Sequence, residues 1–403
     1  MIWKNWSGTV ECRPRTMEMP ASEDEVIALV RRAGREGCSL RVAGSGHSFA
    51  PLCATDGLLL SLDNLQGLAG ADPAACEATI WAGSKISGLG EPLRAVGLGL
   101  ENQGDIDYQA LAGAISTGTH GTGLRFGSLS SCVTALRLVL ASGEAITVSR
   151  ESDPELLRAA QVSIGALGVI TQITMRLLPA YRLHERTWVV SADEAMEQLD
   201  SLITGNEHFE FFWLPEHDAA VMKALNSTLD EPTHTPPPPV APPGRLERYI
   251  RPERVDWSYR IYPSERIHKF VEMEYAVPLA SGPDCFRELR SMMRAEHPRA
   301  LWAVEYRTQQ GDDIFLSPVY QRDSVTISIH EAADRPYQAF FAAAEAIFRN
   351  HDGRPHWGKL HSYGARELSR LYPMWDRFQA VRERLDPAGM FLNPHLRHVL
   401  IDG

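Results

Sequence analysis

Apolar residues recur with helical spacing at Val26, Ile27, Val30 and Ala33, between charged positions, and Ser22 stands where an N-cap belongs. The pattern predicts a helix over 24–37, and a short strand follows at Leu40–Ala43. Apolar runs at 57–62, 78–82, 135–141 and 145–148 read as further strands, with Ser142-Gly143 turning between the last two. An alternating run then passes through Thr171, Ile173 and Met175. After Pro179 the texture changes. Aromatic-rich strands are predicted at 209–214 and 271–277, and helices at 283–296 and 337–349. The proline-dense stretch 232–243 suits neither a sheet nor a helix interior and is expected to be an exposed connection. The fold class that emerges is α+β.

A chain of 403 residues exceeds one ordinary core, so two domains are expected. The formal charge of −11 excludes a sequence-independent nucleic-acid binder, which needs Lys and Arg to neutralise phosphates, and disfavours an anionic lipid surface. No segment approaches the apolar length that spans a bilayer, and Met1–Trp6 lacks a signal-type apolar region, so a cytoplasmic protein without membrane insertion is expected. The six cysteines form no C-x-x-C pair, and reduced thiols are expected rather than a zinc site or a disulfide frame.

Three loops rich in small residues fall within the first part of the chain. Val42-Ala43-Gly44-Ser45-Gly46-His47-Ser48 follows the predicted strand at 40–43, where α/β folds bind ligands. Its glycines let backbone N–H groups crowd one spot as an anion nest, although neither a P-loop nor a dinucleotide G-x-G-x-x-G pattern is present. Residues 112–123 and 164–170 are almost free of bulk over long stretches. Each alone reads equally as a bend between strands. Together they are what an extended dinucleotide such as FAD requires.

Two further segments carry chemistry. In a strand, Glu305 and Arg307 share one face, so a carboxylate and a guanidinium can enter one pocket; spacing alone fits a surface ion pair on an edge strand as well. His356-Trp357-Gly358-Lys359 reads as a loop with two titratable groups. His351, His356 and His361 share no helix face and have no accompanying carboxylate motif, so no metal site is expected.

Six segments in order, 44–49, 116–123, 163–169, Glu305-Tyr306-Arg307, 356–359 and Phe391-Leu392-Asn393-Pro394, carry a resemblance that covers nearly the whole chain. The sequence resembles the aldonolactone oxidoreductase and alditol oxidase branch of the vanillyl-alcohol-oxidase flavoprotein family. The resemblance implies a two-part FAD-binding domain of the PCMH type, residues 1–180 completed by 356–403, and a central substrate domain, 181–355, with an antiparallel sheet flanked by helices. It implies FAD attached covalently through His47. The cofactor contacts it implies are Ala43, Gly44, Ser45, Gly46 and Ser48; Gly104, Asp105 and Ala110; Gly113, Ser116, Thr117, Gly118, His120 and Gly121; Gly168, Val169 and Ile170; and Asn393. Lys359, Arg307 and Glu305 are the implied catalytic residues, and Asp105, Glu305, Arg307, His330, His356 and Lys359 the implied substrate contacts.

Within that family, Asp105 resembles the lactone-oxidising branch, where alditol oxidases carry Ser. Ser328 and His330 also depart from the alditol pattern, and the Glu272-Met273-Glu274-Tyr275 run is similar to the lactone branch, although an alternating strand with solvated glutamates would look the same. The resemblance therefore implies oxidation of an aldono-1,4-lactone such as L-gulono-1,4-lactone, with xylitol- or sorbitol-type polyols as the alternative. A small residue at Gly104 implies that O2 reaches the flavin and leaves as H2O2. A dehydrogenase passing electrons to a cytochrome or quinone is the competing reading, and a sugar-binding protein with a vestigial flavin fold is a third.

Overall fold

The computed structural model describes residues 1–233, 241–265 and 267–402, so most of the proline-dense connection, 234–240, lies outside the described residues. The Ser22 hydroxyl accepts from Glu25 N at 3.2 Å and opens the helix Glu23–Glu36, whose acidic first turn complements the helix dipole. Strand Leu40–Ala43 follows and joins a three-stranded parallel sheet with Thr16–Glu18 and Leu58–Ser61, the last lying in the middle. All four residues of Leu58–Ser61 are buried, as expected of a central parallel strand that opens on three leucines. A five-stranded antiparallel sheet follows in the order Ala145–Ser149, Val133–Val139, Val169–Arg176, Glu77–Trp81, Leu68–Asp72.

From Arg182–Ser191 to Arg354–Pro355 the chain builds an eight-stranded sheet. Its order is Arg254–Trp257, Arg182–Ser191, Ala219–Thr228, His208–Leu214, Val304–Gln309, Ser324–Ala332, Phe270–Pro278 and Arg354–Pro355, antiparallel throughout. The two faces of this sheet differ in kind. On one, Phe211 stacks on Tyr306 with ring centres 4.8 Å apart, and both meet Phe286 of the helix Gly282–Glu296 edge-on. Helix Gln338–Asn350 covers the same side, with Phe348 stacked 4.9 Å from Tyr275. The opposite face carries Glu210, Glu272, Glu274, Glu305, Arg307, Ser328 and His330, as the register pairs Glu210 with Arg307, Glu305 with Ser328, and Glu274 with Ser328. Six of these seven side chains are buried, and His330 is partly so. A buried polar sheet face is unfavourable unless its groups satisfy one another or a ligand.

The C-terminal segment returns to the first sheet. Leu40 N donates to Met390 O at 2.9 Å, and Asn393, which caps the helix Pro394–Leu400 by accepting from Leu396 N, donates from Nδ2 to the carbonyls of Pro51, Leu52 and Ala54. Arg41 is buried at the centre of this junction. Its guanidinium donates to the carbonyls of Leu52, Ile164, Gly165 and Phe391, so one side chain ties together strand 40–43, two loops and the C-terminal segment. Among the described residues no helix is long and apolar enough to cross a membrane.

Candidate active site

Two clefts meet at Gln109. The larger holds about 1090 Å³ of space free of protein atoms, part of it open to solvent, and all three small-residue loops line it: Ala43 to Ser48, then Ala110, Gly113, Ser116 and Thr117, then Gly165, Gly168 and Ile170. The first two loops close on each other so tightly that a Cβ on Gly44 would lie 2.8 Å from the Ala110 Cβ. Ser45 Oγ is buried there without a partner. A long, narrow cleft walled by backbone and small side chains, with an orphaned hydroxyl in it, fits a flat extended dinucleotide such as FAD. Gly118, Gly121, Val169 and Asn393 do not line this cleft; Gly118 ends the helix Leu111–Thr117, Gly121 abuts Asn102, Val169 is fully buried beside Gly168, and Asn393 holds the 51–54 loop from behind.

His47 sits in the wall of the larger cleft, and the N-terminal segment backs it. Trp6 N donates to Gly46 O at 2.8 Å, Asn5 Nδ2 donates to Ser48 O at 3.1 Å, and the Trp6 indole stacks on the His47 ring at 5.3 Å. Burial, reinforced by Lys359, Lys269 and Lys85, pushes the His47 imidazolium down to about 4, so the ring is neutral near pH 7. The sequence gives no local signal for Trp6, which lies far from His47 along the chain.

The smaller cleft holds about 480 Å³ and lies under the polar face of the eight-stranded sheet. It is lined by Gly104, Asp105 and His120 from one side, by Glu272, Glu274, Glu305, Arg307 and His330 from the sheet, and by His356 and Lys359 from the C-terminal segment. All the expected substrate contacts are therefore brought together. Glu305 and Arg307 are not a surface pair on an edge strand: Val304–Gln309 is an interior strand buried along its whole length. The glutamates of Glu272–Tyr275 are likewise not solvated, being 3% and 2% exposed, because the 104–120 passage and His356–Lys359 lie over that face.

Charge is arranged around two cations. Lys359 Nζ pairs with Glu272 Oε2, and Leu360 N donates to Glu272 O at 2.9 Å, which fixes the lysine against that strand. Burial disfavours the Glu272 anion, but Lys359 and His330 hold it at about 2. Arg307 Nη2 donates to Glu274 Oε2 at 2.7 Å and lies 3.3 Å from Glu305 Oε2. Glu305 differs from its neighbours. Its Oε1 is buried without a partner, and burial, opposed only in part by Arg307, pushes its carboxyl up to about 8, so it is a neutral acid near pH 7.

The histidines have defined roles. His356 Nδ1 accepts from Gly358 N at 3.0 Å, and burial lowers its imidazolium to about 3, so the ring is neutral with its proton on Nε2. His330 donates from Nδ1 to Ala303 O at 3.0 Å, and its Nε2 lies 3.6 Å from Glu272 Oε1. Glu272, Glu305 and His330 have ligand atoms within 4.8 Å of one another, in a metal-like grouping that Lys359 and Arg307 already supply with positive charge. His351 pairs with Glu288 on another surface.

Comparison with known proteins agrees with this architecture. A family model described as an FAD binding domain matches residues 14–149, over the larger cleft, and one described as D-arabinono-1,4-lactone oxidase matches 173–251 and 244–399, over the eight-stranded sheet and the C-terminal segment. The chain is 38% identical to an L-gulono-1,4-lactone dehydrogenase of Mycobacterium tuberculosis, over 99% of each chain, and 30% identical to an L-gulonolactone oxidase of Bos taurus, over 98% of each. Among solved structures, a cholesterol oxidase from B. sterolicum superposes with a TM-score of 0.85 at 18% identity, covering 99% of this chain and 96% of that one; this similarity concerns the fold. With the two family models together matching most of the chain, it belongs to the D-arabinono-1,4-lactone oxidase family of FAD-binding proteins.

Proposed function

We propose that this protein oxidises an alcohol carbon of an aldono-1,4-lactone, L-gulono-1,4-lactone first among candidates, with FAD bound covalently through His47 and O2 as the acceptor. Residues 1–180 and 356–403 form the cofactor domain in this reading, and 181–355 the substrate domain. The single observation that carries it is the pocket in which Lys359, Arg307 and Glu305 converge, buried and next to the His47 cleft.

FAD, when bound, supplies the two-electron hydride acceptor. The protein supplies the rest. Lys359 Nζ and the Arg307 guanidinium are preorganised cations that lower the pKa of the substrate hydroxyl and stabilise alkoxide character in the transition state. The His330–Glu272 pair takes the hydroxyl proton, with the imidazole anchored through Nδ1 on Ala303 O. Glu305, as a neutral acid, can donate to a lactone oxygen, and His356 Nε2–H donates to another. Trp6 on the far side of His47 keeps water from that ring and leaves a neutral imidazole nitrogen as the nucleophile for attachment.

Asp105 and His330 in the pocket favour a lactone over a linear polyol. Electron delivery to an acceptor other than O2 is the second reading, favoured by the dehydrogenase named among the relatives. Turnover of a lactone panel and of xylitol and sorbitol, with wild type and Arg307→Met, tests the proposal. It expects lactone turnover that collapses in the variant. Turnover confined to polyols, or unchanged in Arg307→Met, would overturn it.

A further inference from the structure

Glu274 is 2% exposed, and its carboxylate receives three donors. Oε1 faces His120 Nε2 at 2.8 Å, and Oε2 accepts from Arg307 Nη2 at 2.7 Å and from Ser328 Oγ at 2.6 Å. A carboxylate filled in this way has little capacity left for a substrate hydroxyl. Its effect must pass through the groups it holds.

Two of those groups come from different halves of the molecule. His120 belongs to the small-residue passage that lines both clefts, and its Nδ1 contacts Gly121 O at 2.8 Å. Both ring nitrogens thus face acceptors, so a proton lies in the His120–Glu274 contact. Arg307 belongs to the eight-stranded sheet. The same seam is stitched by Gly123 N donating to Thr308 O at 2.9 Å, and by Thr122 Oγ1, which donates to Phe209 O and accepts from Thr308 N.

The hold on Arg307 is one-cornered. Its bonds to Glu274 and Ser328 and its contact with Glu305 are all made by Nη2, while Nε is buried without a partner. A planar guanidinium gripped at one nitrogen takes its orientation from that grip. Glu305, two residues away on the same strand, is the competing carboxyl. Without the charge on Glu274, Arg307 would turn to Glu305, its nearest remaining carboxylate.

We propose that Glu274 is a positioning residue that aims Arg307 into the pocket and locks it to the His120 passage, keeping the guanidinium from collapsing onto Glu305. The proposal rests on Arg307 being the substrate-facing cation argued above.

The test is anaerobic flavin reduction by L-gulono-1,4-lactone across pH, on FAD-loaded wild type, Glu274→Gln, Arg307→Met and the double variant, with thermal unfolding and flavin content measured on each. Glu274→Gln should reduce its flavin about 10–100-fold more slowly, the range for loss of a group that orients an active-site residue, at unchanged flavin content. Ionisation of Glu305, at about 8, should give the pH–rate profile of the wild type a limb, and that limb should move to lower pH in Glu274→Gln, because an Arg307 freed from Glu274 stabilises the Glu305 anion. Adding Glu274→Gln to Arg307→Met should slow reduction no further, since both act through one group. Ser328→Ala, which removes one donor and leaves the charge, should move rate and pH limb the same way by less, and serves if Glu274→Gln fails to fold. An unmoved pH limb, or slowing that multiplies with that of Arg307→Met, would overturn the positioning role. If Arg307→Met itself reduces flavin at the wild-type rate, the underlying reading of Arg307 fails and takes the proposal with it.

Discussion

Replacing Lys359 with Met separates what the lysine does for the fold from what it does for the reaction. Its ammonium pairs with Glu272 and lies 5.3 Å over the Phe49 ring, and its side chain is 17% exposed. Methionine keeps the stem and removes the charge. Loss of one preorganised group that stabilises developing negative charge slows the chemical step about 10²–10³-fold, or ~2.7–4 kcal/mol. A second effect acts on the fold, because Glu272 is left buried with only His330 nearby, 3.6 Å away, and an unpaired buried charge destabilises by up to ~3–5 kcal/mol. Lys359→Met combined with Glu272→Gln removes the stranded anion. Thermal unfolding should therefore fall in the single variant and recover in the double. The rate of anaerobic flavin reduction by lactone should stay low in both, with flavin content intact. Recovery of the rate together with the stability would refute the catalytic role and leave Lys359 a structural counter-ion.

Three further outcomes are expected. His47→Ala should bind FAD less tightly and release it on acid precipitation, whereas wild-type protein keeps its yellow colour in the pellet; flavin in the wild-type supernatant would refute covalent attachment. Glu305 titrates at about 8 when folded and near ~4.3 when unfolded, so between these values the unfolded chain has lost a proton that the native state keeps, and stability declines as pH rises through that window. Glu305→Gln should abolish that decline, so unfolding temperatures of variant and wild type should diverge in the variant's favour from about pH 5 to 8. A Cβ on Gly104 would lie 3.0 Å from His120 O, so Gly104→Ala should narrow the smaller cleft and slow reoxidation in air more than reduction by lactone, as read by stopped-flow absorbance.

The elements that were legible in the sequence had local causes. The helix at 23–36 follows from its apolar spacing and Ser22, Leu40–Ala43 from a short apolar run broken only by Arg41, and Phe270–Pro278 from its aromatic and aliphatic residues alternating with Glu272 and Glu274. Glycine clustering pointed to the cofactor cleft because small residues have few other reasons to recur in three loops. Glu272, Glu274, Glu305 and Arg307 were harder, since alternating charge on a strand describes a solvated face and a covered one equally well. What covers this face is the other half of the molecule, brought over it by contacts between distant segments. The same holds for Arg41, whose four carbonyl partners are loops joined only by the fold, and for Trp6 behind His47.

The most direct test of the central claim is to mix the FAD-loaded protein anaerobically with L-gulono-1,4-lactone, follow flavin bleaching, and then admit air. Rapid bleaching, followed by fast recovery of colour with release of H2O2, is the result expected of a lactone oxidase built on this pocket. Bleaching by xylitol or sorbitol but not by lactones would contradict the substrate assignment, and slow recovery in air would contradict O2 as the acceptor.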